Sequence, residues 1–295
     1  YEPIATYWPE FAAAGKEAVA TRHVLSHTAG LSGWDEPLVA EDLLDHGKLV
    51  ALHAAQAPWW EPGSQSGYHA ISQGYLLGEI VKRVSGRSLG QFFADEIAEP
   101  LGADFHIGTG PEHDDRIAHV IPPDAPLGAD GGVDPDQVDE SSLAMRTLGI
   151  PLVDATFSSA PEWRRAEIPA AGGHGNARSV AAIHTLTANG GAAQGKQIIS
   201  ADGLERIFDV QSDGMDLVLV GTEIKLGMGF GLPGAMLPLP NPRTCFWGGW
   251  GGSLAIIDMD LNLSYSYVMN RMEASLTGDP RGAGPLLATY GVLMS

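Results

Sequence analysis

A tight loop delivers one tyrosine, Tyr68, to the start of a predicted helix. The loop begins at Trp60 and continues through Glu61–Gly67, whose proline, glycine and serine residues favour a turn. A phenol held near a helix N-terminus by neighbouring cations can ionise below its usual pKa of about 10 and then accept a proton. Tyr68 is therefore a candidate general base, and a tyrosine packed at the edge of a loop is the alternative.

A second candidate site is the glycine-rich run Trp247–Ser253, which leads into a predicted strand. Glycines at the mouth of a strand let a ligand approach the backbone closely. A free backbone N–H at such a place can donate to the oxyanion that develops during acyl transfer. A bulged edge strand is the structural alternative for the same residues.

Other patterns lack the neighbours that their chemistry requires. The run Gly229–Gly234 has the spacing of a dinucleotide fingerprint, but the prolines around and after it exclude the helix that must bind the pyrophosphate. The pair His23 and His27 lacks the glutamate of a zinc protease. Ser72 lies inside a helical pattern and not on the strand-to-helix turn of a nucleophile elbow. We therefore expect no metal and no cofactor.

The elements that must position these residues are helical in the first two thirds of the chain and β-like afterwards. Predicted helices cover Thr21–Ala29, Leu38–Ala57, Ile71–Val84, Ser88–Glu99, Asn176–Ala188, Ser200–Phe208 and Pro285–Leu293. Predicted strands cover Asp216–Val220, Gly227–Gly231, Ser253–Met259 and Leu263–Met269, with a hairpin turn at Asp260–Asn262. The runs Ile121–Pro126 and Gly128–Asp136 are predicted loops. We expect a mainly helical and irregular region over residues 1–210 and an antiparallel sheet with a terminal helix over residues 211–295.

Composition excludes several classes of protein. Hydrophobic residues make up 44% and charged residues 18% of the 295 residues, which excludes a disordered chain. The net charge of −19 disfavours nucleic acid and anionic membranes as partners. The single cysteine, Cys245, allows no internal disulfide. A small molecule remains as the expected partner. The oligomeric state stays open, and the compartment is also open, with the cytoplasm as the default expectation.

Taken in order along the chain, the motifs resemble the class C β-lactamase-related serine hydrolases. Each motif is short, and their shared order makes a chance match improbable. The resemblance extends from Thr21 to Met272. The segments that carry it are Leu25–Leu31, Glu61–Gly63 with Tyr68, Phe92–Phe93, Glu99–Gly102, Gly173–Ser179, Gly249–Ser253 and Val268–Met272.

This resemblance implies an α+β fold like that of β-lactamases and penicillin-binding proteins, in which helices flank an antiparallel sheet. It places Tyr68 in the Tyr-x-Asn box, although no asparagine follows here, and Trp247, Gly248 and Gly249 in the Lys-Thr-Gly box. Trp247 stands where β-lactamases place a lysine, and a Trp-Gly-Gly box is similar to that of the family VIII carboxylesterases. An indole offers apolar area and no charge, which favours uncharged esters.

The resemblance also implies roles for the site residues in an esterase. An upstream serine attacks the ester, Tyr68 transfers the proton, the Trp250 amide holds the oxyanion, and Trp247 and Trp60 line the substrate pocket. No serine in this sequence is followed by lysine three positions later. We expect that Ser-x-x-Lys pair, with the first strands of the sheet, in an N-terminal segment outside these residues. The alternatives are an acyltransferase, a weak β-lactamase or peptidase, and an inactive binding protein.

Overall fold

The computed structural model describes residues 1–124, 139, 141–193 and 195–295. The predicted loop Gly128–Asp136 and the last two residues of the loop Ile121–Pro126 lie outside these ranges. The α-helices are α1 (Thr21–Leu25), α2 (His46–Ala55), α3 (Ser72–Ser85), α4 (Leu89–Phe93), α5 (Glu99–Leu101), α6 (Leu143–Leu148), α7 (Pro161–Arg165), α8 (Ala177–Ala188), α9 (Ala201–Glu205) and α10 (Pro280–Leu293). The strands are β1 (Phe105–Ile107), β2 (Gly173–Gly175), β3 (Ala192–Ala193), β4 (Lys196–Gln197), β5 (Ser212–Met215), β6 (Glu223–Leu226), β7 (Thr244–Gly248), β8 (Leu254–Asp258) and β9 (Leu263–Tyr267).

Helices with clear capping signals form where the sequence predicts them. Helix α3 ends at Gly86, whose φ of 74° is the left-handed conformation that glycine adopts without a steric penalty. Helix α8 begins after Asn176, whose side chain accepts a hydrogen bond from Ser179 N at 3.0 Å. Ser200 caps α9 in the same way. Local side-chain chemistry therefore fixes these helix ends.

Two predicted helices are shorter than their apolar patterns suggest. The predicted helix Leu38–Ala57 is split into a 3-10 turn over Ala40–Leu44 and helix α2. Asp45 lies between them with non-helical dihedral angles, and its carboxylate accepts from Lys48 N at 2.9 Å to start α2. The first predicted helix ends at Leu25 and not at Ala29, because His27 adopts a left-handed conformation with φ 58°. Conversely, the helical segment that begins after Ser88 continues past Glu99 to Leu101 and ends at Gly102.

The main sheet is antiparallel and is built from the C-terminal part of the chain. Strands β7, β8 and β9 pair in the order β7-β8-β9, and β5 pairs with β6. Gly231 joins the two groups, since it bridges both Leu226 in β6 and Phe246 in β7. The predicted α+β class is confirmed. The division of the chain near residue 210 stays a prediction.

Two predicted strands are misplaced. Asp216–Val220 is the turn of the β5–β6 hairpin and not a strand, because the Asp216 carboxylate accepts from Val218 N and Leu219 N and curls the backbone. The predicted strand Gly227–Gly231 falls after β6, where Gly229 has a φ of 84°. Sequence patterns predicted neither β5 nor β7 as strands.

The sheet separates two clusters of buried side chains. Phe246 and Ile256 pack against Leu286 and Tyr290 of the terminal helix α10. Cys245 and its neighbours on the opposite face pack toward α9, and burial raises the pKa of the Cys245 thiol to about 12. A third and larger cluster fills the helical region; its bulky members are Trp8, Phe11, Trp34, Leu49 and Tyr75. No helix within the described part of the chain is both long and apolar enough to cross a membrane.

Candidate active site

The backbone around Tyr68 is held at three consecutive amides by residues distant in sequence. Gly67 N donates to the carbonyl oxygen of His27 at 2.9 Å. Tyr68 N donates to the Asp216 carboxylate at 3.0 Å, and His69 N donates to His27 Nδ1 at 3.0 Å. Tyr68 therefore precedes α3 on a fixed backbone and not on a mobile loop.

The loop before Tyr68 is closed by its own tryptophan. Trp60 Nε1 donates to the carbonyl oxygen of Gln65 at 2.9 Å, so the indole folds back over the loop. A Cβ at Gly67 would lie only 2.6 Å from the Trp60 ring, which explains why glycine precedes the tyrosine. The Trp60 ring also meets His69 edge-on, with ring centroids 5.7 Å apart. The loop thus places Trp60 beside residues Gly67–His69, the tyrosine segment.

Three aromatic rings from three separate segments meet at the candidate site. The rings of Tyr68 and Trp247 lie 5.6 Å apart between centroids. His27 stacks on Trp247 at 5.3 Å and meets Tyr68 edge-on at 5.1 Å. The structure therefore brings the tyrosine box and the end of β7 together, as the resemblance implies.

The expected ionisation of Tyr68 is not found. Burial raises the pKa of Tyr68 to about 12, the negative charge of Asp216 contributes in the same direction, and only the Trp247 side chain opposes them. The expectation assumed neighbouring cations; among the described residues burial dominates, and the charge that acts on this phenol is the Asp216 carboxylate. The adjacent His69 is neutral at pH 7, since burial lowers its pKa to about 4.

Within the described residues, the glycine-rich turn between β7 and β8 leaves two main-chain donors unused, those of Trp250 and Ser253. Three of its amides donate to main-chain oxygens, namely Gly249 to Ser253 at 2.9 Å, Gly251 to Ser275 at 2.9 Å and Gly252 to Gly249 at 3.1 Å. Among the described residues, none accepts a hydrogen bond from Trp250 N. A free amide next to the Trp247 strand end is the arrangement that an oxyanion site requires.

Close packing explains two of the glycines in and before this turn. A Cβ at Gly248 would overlap the carbonyl oxygen of Thr277. Gly251 has a φ of 94°, and a Cβ there would lie within 3 Å of Met269 and Met272. The glycines therefore serve the backbone geometry of the turn that contains Trp250.

Sequence reasoning missed two residues that hold the site. Asp216 lies 148 positions from Tyr68, and nothing in its local sequence indicates that its carboxylate binds a distant amide. His27 was considered only as a partner of His23 in a metal pair. In the described residues no group of three or more His, Cys, Asp and Glu side chains is arranged to hold a metal ion. The Leu25–Leu31 motif of the resemblance is the one signal that could have drawn attention to His27.

Tyr68 and Trp247 thus lie in contact within an α+β fold like that of the β-lactamases and penicillin-binding proteins. The family model for beta-lactamases matches residues 1–285, and the chain belongs to this family. The resemblance inferred from the sequence motifs is confirmed.

Particular relatives agree with this assignment. The chain is 31% identical over 283 residues to the esterase/beta-lactamase LipL of Mycobacterium tuberculosis, a match that covers 93% of this chain and 64% of LipL. It is also similar to the crystal structure of a family VIII carboxylesterase, with a TM-score of 0.88, 38% identity and coverage of 98% of this chain and 75% of that one. A penicillin-binding protein homologue from Caulobacter crescentus gives a TM-score of 0.87 at 35% identity, with coverage of 98% and 76%. The chain thus spans about two thirds to three quarters of the length of these relatives.

Proposed function

We propose that this chain provides the ester-binding and proton-transfer part of a serine carboxylesterase. The proposal rests on one arrangement. Trp250 N, in the turn after β7, has no acceptor among the described residues, and the ring of Trp247 in β7 contacts Tyr68. A main-chain donor and a phenol on facing segments suit a carbonyl that is attacked by a hydroxyl and whose oxygen becomes negative. The similarity to a family VIII carboxylesterase and to an esterase/beta-lactamase supports the same reaction class.

The proposed reaction passes through an acyl-enzyme. A serine hydroxyl transfers its proton to Tyr68 and attacks the ester carbonyl, and Tyr68 then returns the proton to the leaving alcohol. Water then transfers a proton to Tyr68 and attacks the acyl carbonyl. Tyr68 returns that proton to the serine oxygen, and the acid is released. The Trp250 amide stabilises the negative oxygen in both steps; loss of one such donor costs about 2.7–4 kcal/mol in other hydrolases.

The nucleophile is assigned to a segment outside the 295 residues, because no Ser-x-x-Lys pair occurs within them. In this proposal the lysine of that pair stabilises the phenolate of Tyr68. Burial and Asp216 raise the pKa of Tyr68 to about 12, so the phenolate needs a nearby positive charge. An ammonium group beside the phenol oxygen lowers that pKa toward the range in which tyrosine can act as a base.

The substrate class follows from the aromatic walls of the site. Trp247 is half-buried and uncharged, and Trp60 is a second indole beside the same tyrosine segment. Neither side chain can pair with a substrate carboxylate, whereas both offer apolar area to an acyl or alcohol group. We therefore expect uncharged esters as substrates in preference to carboxylated lactams.

The first test is covalent labelling of the full gene product with a fluorophosphonate probe, followed by intact-mass measurement. One adduct per molecule is expected on a polypeptide larger than 31.0 kDa, and peptide mapping of the labelled serine to a segment outside these residues supports the assignment of the nucleophile. Absence of an adduct together with absence of turnover on a short p-nitrophenyl ester overturns the esterase proposal. A chromogenic cephalosporin, assayed in parallel, measures any competing β-lactamase activity.

The second test addresses Tyr68 itself. Tyr68→Phe removes the hydroxyl and keeps the ring, so we expect kcat to fall by about 10²–10⁴-fold with little change in folding. Tyr265→Phe is the matched control, since that hydroxyl donates to the Gly282 carbonyl between β9 and α10 at 2.7 Å. Wild-type turnover in the Tyr68→Phe enzyme means that another group moves the proton.

A further inference from the structure

His27 contacts both sides of the candidate site. We propose that it is a positioning residue which fixes Tyr68 through its ring nitrogen and carbonyl oxygen, and Trp247 through its ring face. This inference rests on the proposed esterase function, because it assigns His27 a role in that same site. It concerns a residue to which the proposed reaction assigns no chemical step.

The backbone of His27 is the first observation. Its φ of 58° lies in the left-handed region, which a side chain with a Cβ rarely adopts. Two other non-glycine residues of the described part share this conformation: Ala14, which is exposed, and Asn262, which belongs to a residue type that tolerates it in turns. His27 is only 4% exposed. Strain of this kind persists where surrounding contacts determine the conformation, and it is concentrated at functional sites.

The second observation is that His27 binds the backbone on both sides of Tyr68. Its carbonyl oxygen accepts from Gly67 N, and its Nδ1 accepts from His69 N. A right-handed conformation at position 27 would turn the carbonyl oxygen and the side chain away from this pairing, because both depend on φ and ψ at that residue. The strained backbone therefore allows one residue to hold the tyrosine from two directions.

The third observation is the environment of the ring. Nδ1 faces the His69 amide, and Nε2 lies 3.4 Å from Gln73 Nε2, whose hydrogens point to the Val24 carbonyl oxygen at 3.0 Å and toward Leu25. Because Nδ1 accepts from the His69 amide, the neutral ring carries its proton on Nε2, and a second proton would have to displace that amide from Nδ1. The neutral ring stacks on Trp247 and forms a T-shaped contact with Tyr68.

The two functions of the side chain can be separated by substitution. Asparagine keeps an acceptor near the position of Nδ1 and tolerates a positive φ, but it has no ring to stack on Trp247. Phenylalanine keeps the ring and has no acceptor for the His69 amide. We expect His27→Asn to raise KM by about tenfold with kcat nearly unchanged, since an aromatic contact to a substrate-binding side chain is lost. We expect His27→Phe to lower kcat by about 100-fold, since Tyr68 is no longer held in place.

The experiment measures kcat and KM for both variants of the full gene product on a p-nitrophenyl ester. Ala14→Gly is the control for strain, because it releases the same backbone conformation far from the site; it should leave both constants at wild-type values. Hydrogen exchange of the peptide that spans residues 66–70 should rise in His27→Phe and stay near wild type in His27→Asn. If His27→Phe does not fold, the KM of His27→Asn and its exchange rate carry the test.

The possible outcomes distinguish this inference from the proposed function. Wild-type kcat and KM in both variants of an enzyme that the fluorophosphonate labels overturn the role of His27 and leave the esterase intact. If the wild-type protein is neither labelled nor active, the esterase proposal fails. The exchange measurement then decides alone whether His27 holds the tyrosine segment: unchanged exchange in His27→Phe overturns the inference.

Discussion

The tyrosine side and the glycine side of the candidate site differ in what holds their backbone. On the tyrosine side, the amides of Tyr68 and His69 donate to side chains that lie 148 and 42 positions away. On the glycine side, the amides of Gly249, Gly251 and Gly252 donate to main-chain oxygens within 24 positions, and Trp250 N has no acceptor in the described part of the chain. The backbone conformation of the tyrosine side therefore depends on the identity of distant side chains. That of the glycine side depends on the absence of side chains at its glycines.

The largest effect is expected from adding a single methyl group on the glycine side. Gly248→Ala places a Cβ against the Thr277 carbonyl oxygen, which belongs to the backbone and cannot rotate away. The end of β7 must then shift, and we expect esterase kcat to fall by about 100-fold or more as the Trp250 amide moves. Gly284→Ala in helix α10 meets no atom within 4 Å and serves as the control; it should keep full activity. Equal activity of both variants contradicts the role assigned to the glycine turn.

A smaller effect is expected from removing the carboxylate on the tyrosine side. The Asp216 carboxylate accepts from the amides of Tyr68, Val218 and Leu219. Asp216→Ala leaves these donors without their acceptor, and we expect a loss of about 2 kcal/mol in the free energy of unfolding, measured by urea denaturation. Asp216→Asn keeps an acceptor oxygen in the same place, so most of this stability should remain. Similar losses in both variants mean that the charge, and not the hydrogen bonds, holds the tyrosine segment.

The two sides are also expected to differ in how they respond to acid. Burial lowers the pKa of His69 to about 4 and that of His27 well below its usual 6.5. As pH falls from about 6.5 toward 4, the unfolded chain therefore binds protons that the folded chain does not, and folding stability decreases. Each such histidine lowers the free energy of unfolding by up to about 1.4 kcal/mol for each pH unit in this range.

The measurement for this prediction is the melting temperature between pH 7 and pH 4.5, with hydrogen exchange of residues 66–69 and 249–252. We expect a lower melting temperature in acid and an earlier loss of protection on the tyrosine side than on the glycine side. His119→Gln removes an exposed histidine and should leave the pH dependence unchanged. A melting temperature that is independent of pH contradicts the assignment of neutral buried histidines.

Much of the fold follows from local signals in the sequence. Asn176 and Ser200 predict helix starts because a short polar side chain caps the free amides of the next turn. Gly86 predicts a helix end because it adopts a positive φ without strain. The turn Asp260–Asn262 likewise predicts the β8–β9 hairpin. These features depend on residues a few positions apart, so a single sequence contains them.

The parts that the sequence did not predict depend on long-range contacts. Asp216 reads as the start of an apolar strand, but its carboxylate binds local amides and turns the chain, and the same oxygen fixes Tyr68. Burial, with a smaller contribution from the Asp216 carboxylate, raises the pKa of Tyr68, and the sequence around Tyr68 shows neither the burial nor that distant carboxylate. The pairing of the tyrosine box with the glycine box came from a family resemblance. The individual roles of Tyr68, Trp250, Trp247 and Trp60 stay predictions.

Cys245 gives the protein a practical property for spectroscopy. It is the single thiol of the chain, it is fully buried in β7, and its raised pKa keeps it protonated at the pH of maleimide coupling. A cysteine introduced at Val220, which is 78% exposed on the β5–β6 hairpin beside Asp216, would therefore be the only reactive thiol of these 295 residues. A fluorophore attached there could report movement of the tyrosine side without removal of the native cysteine.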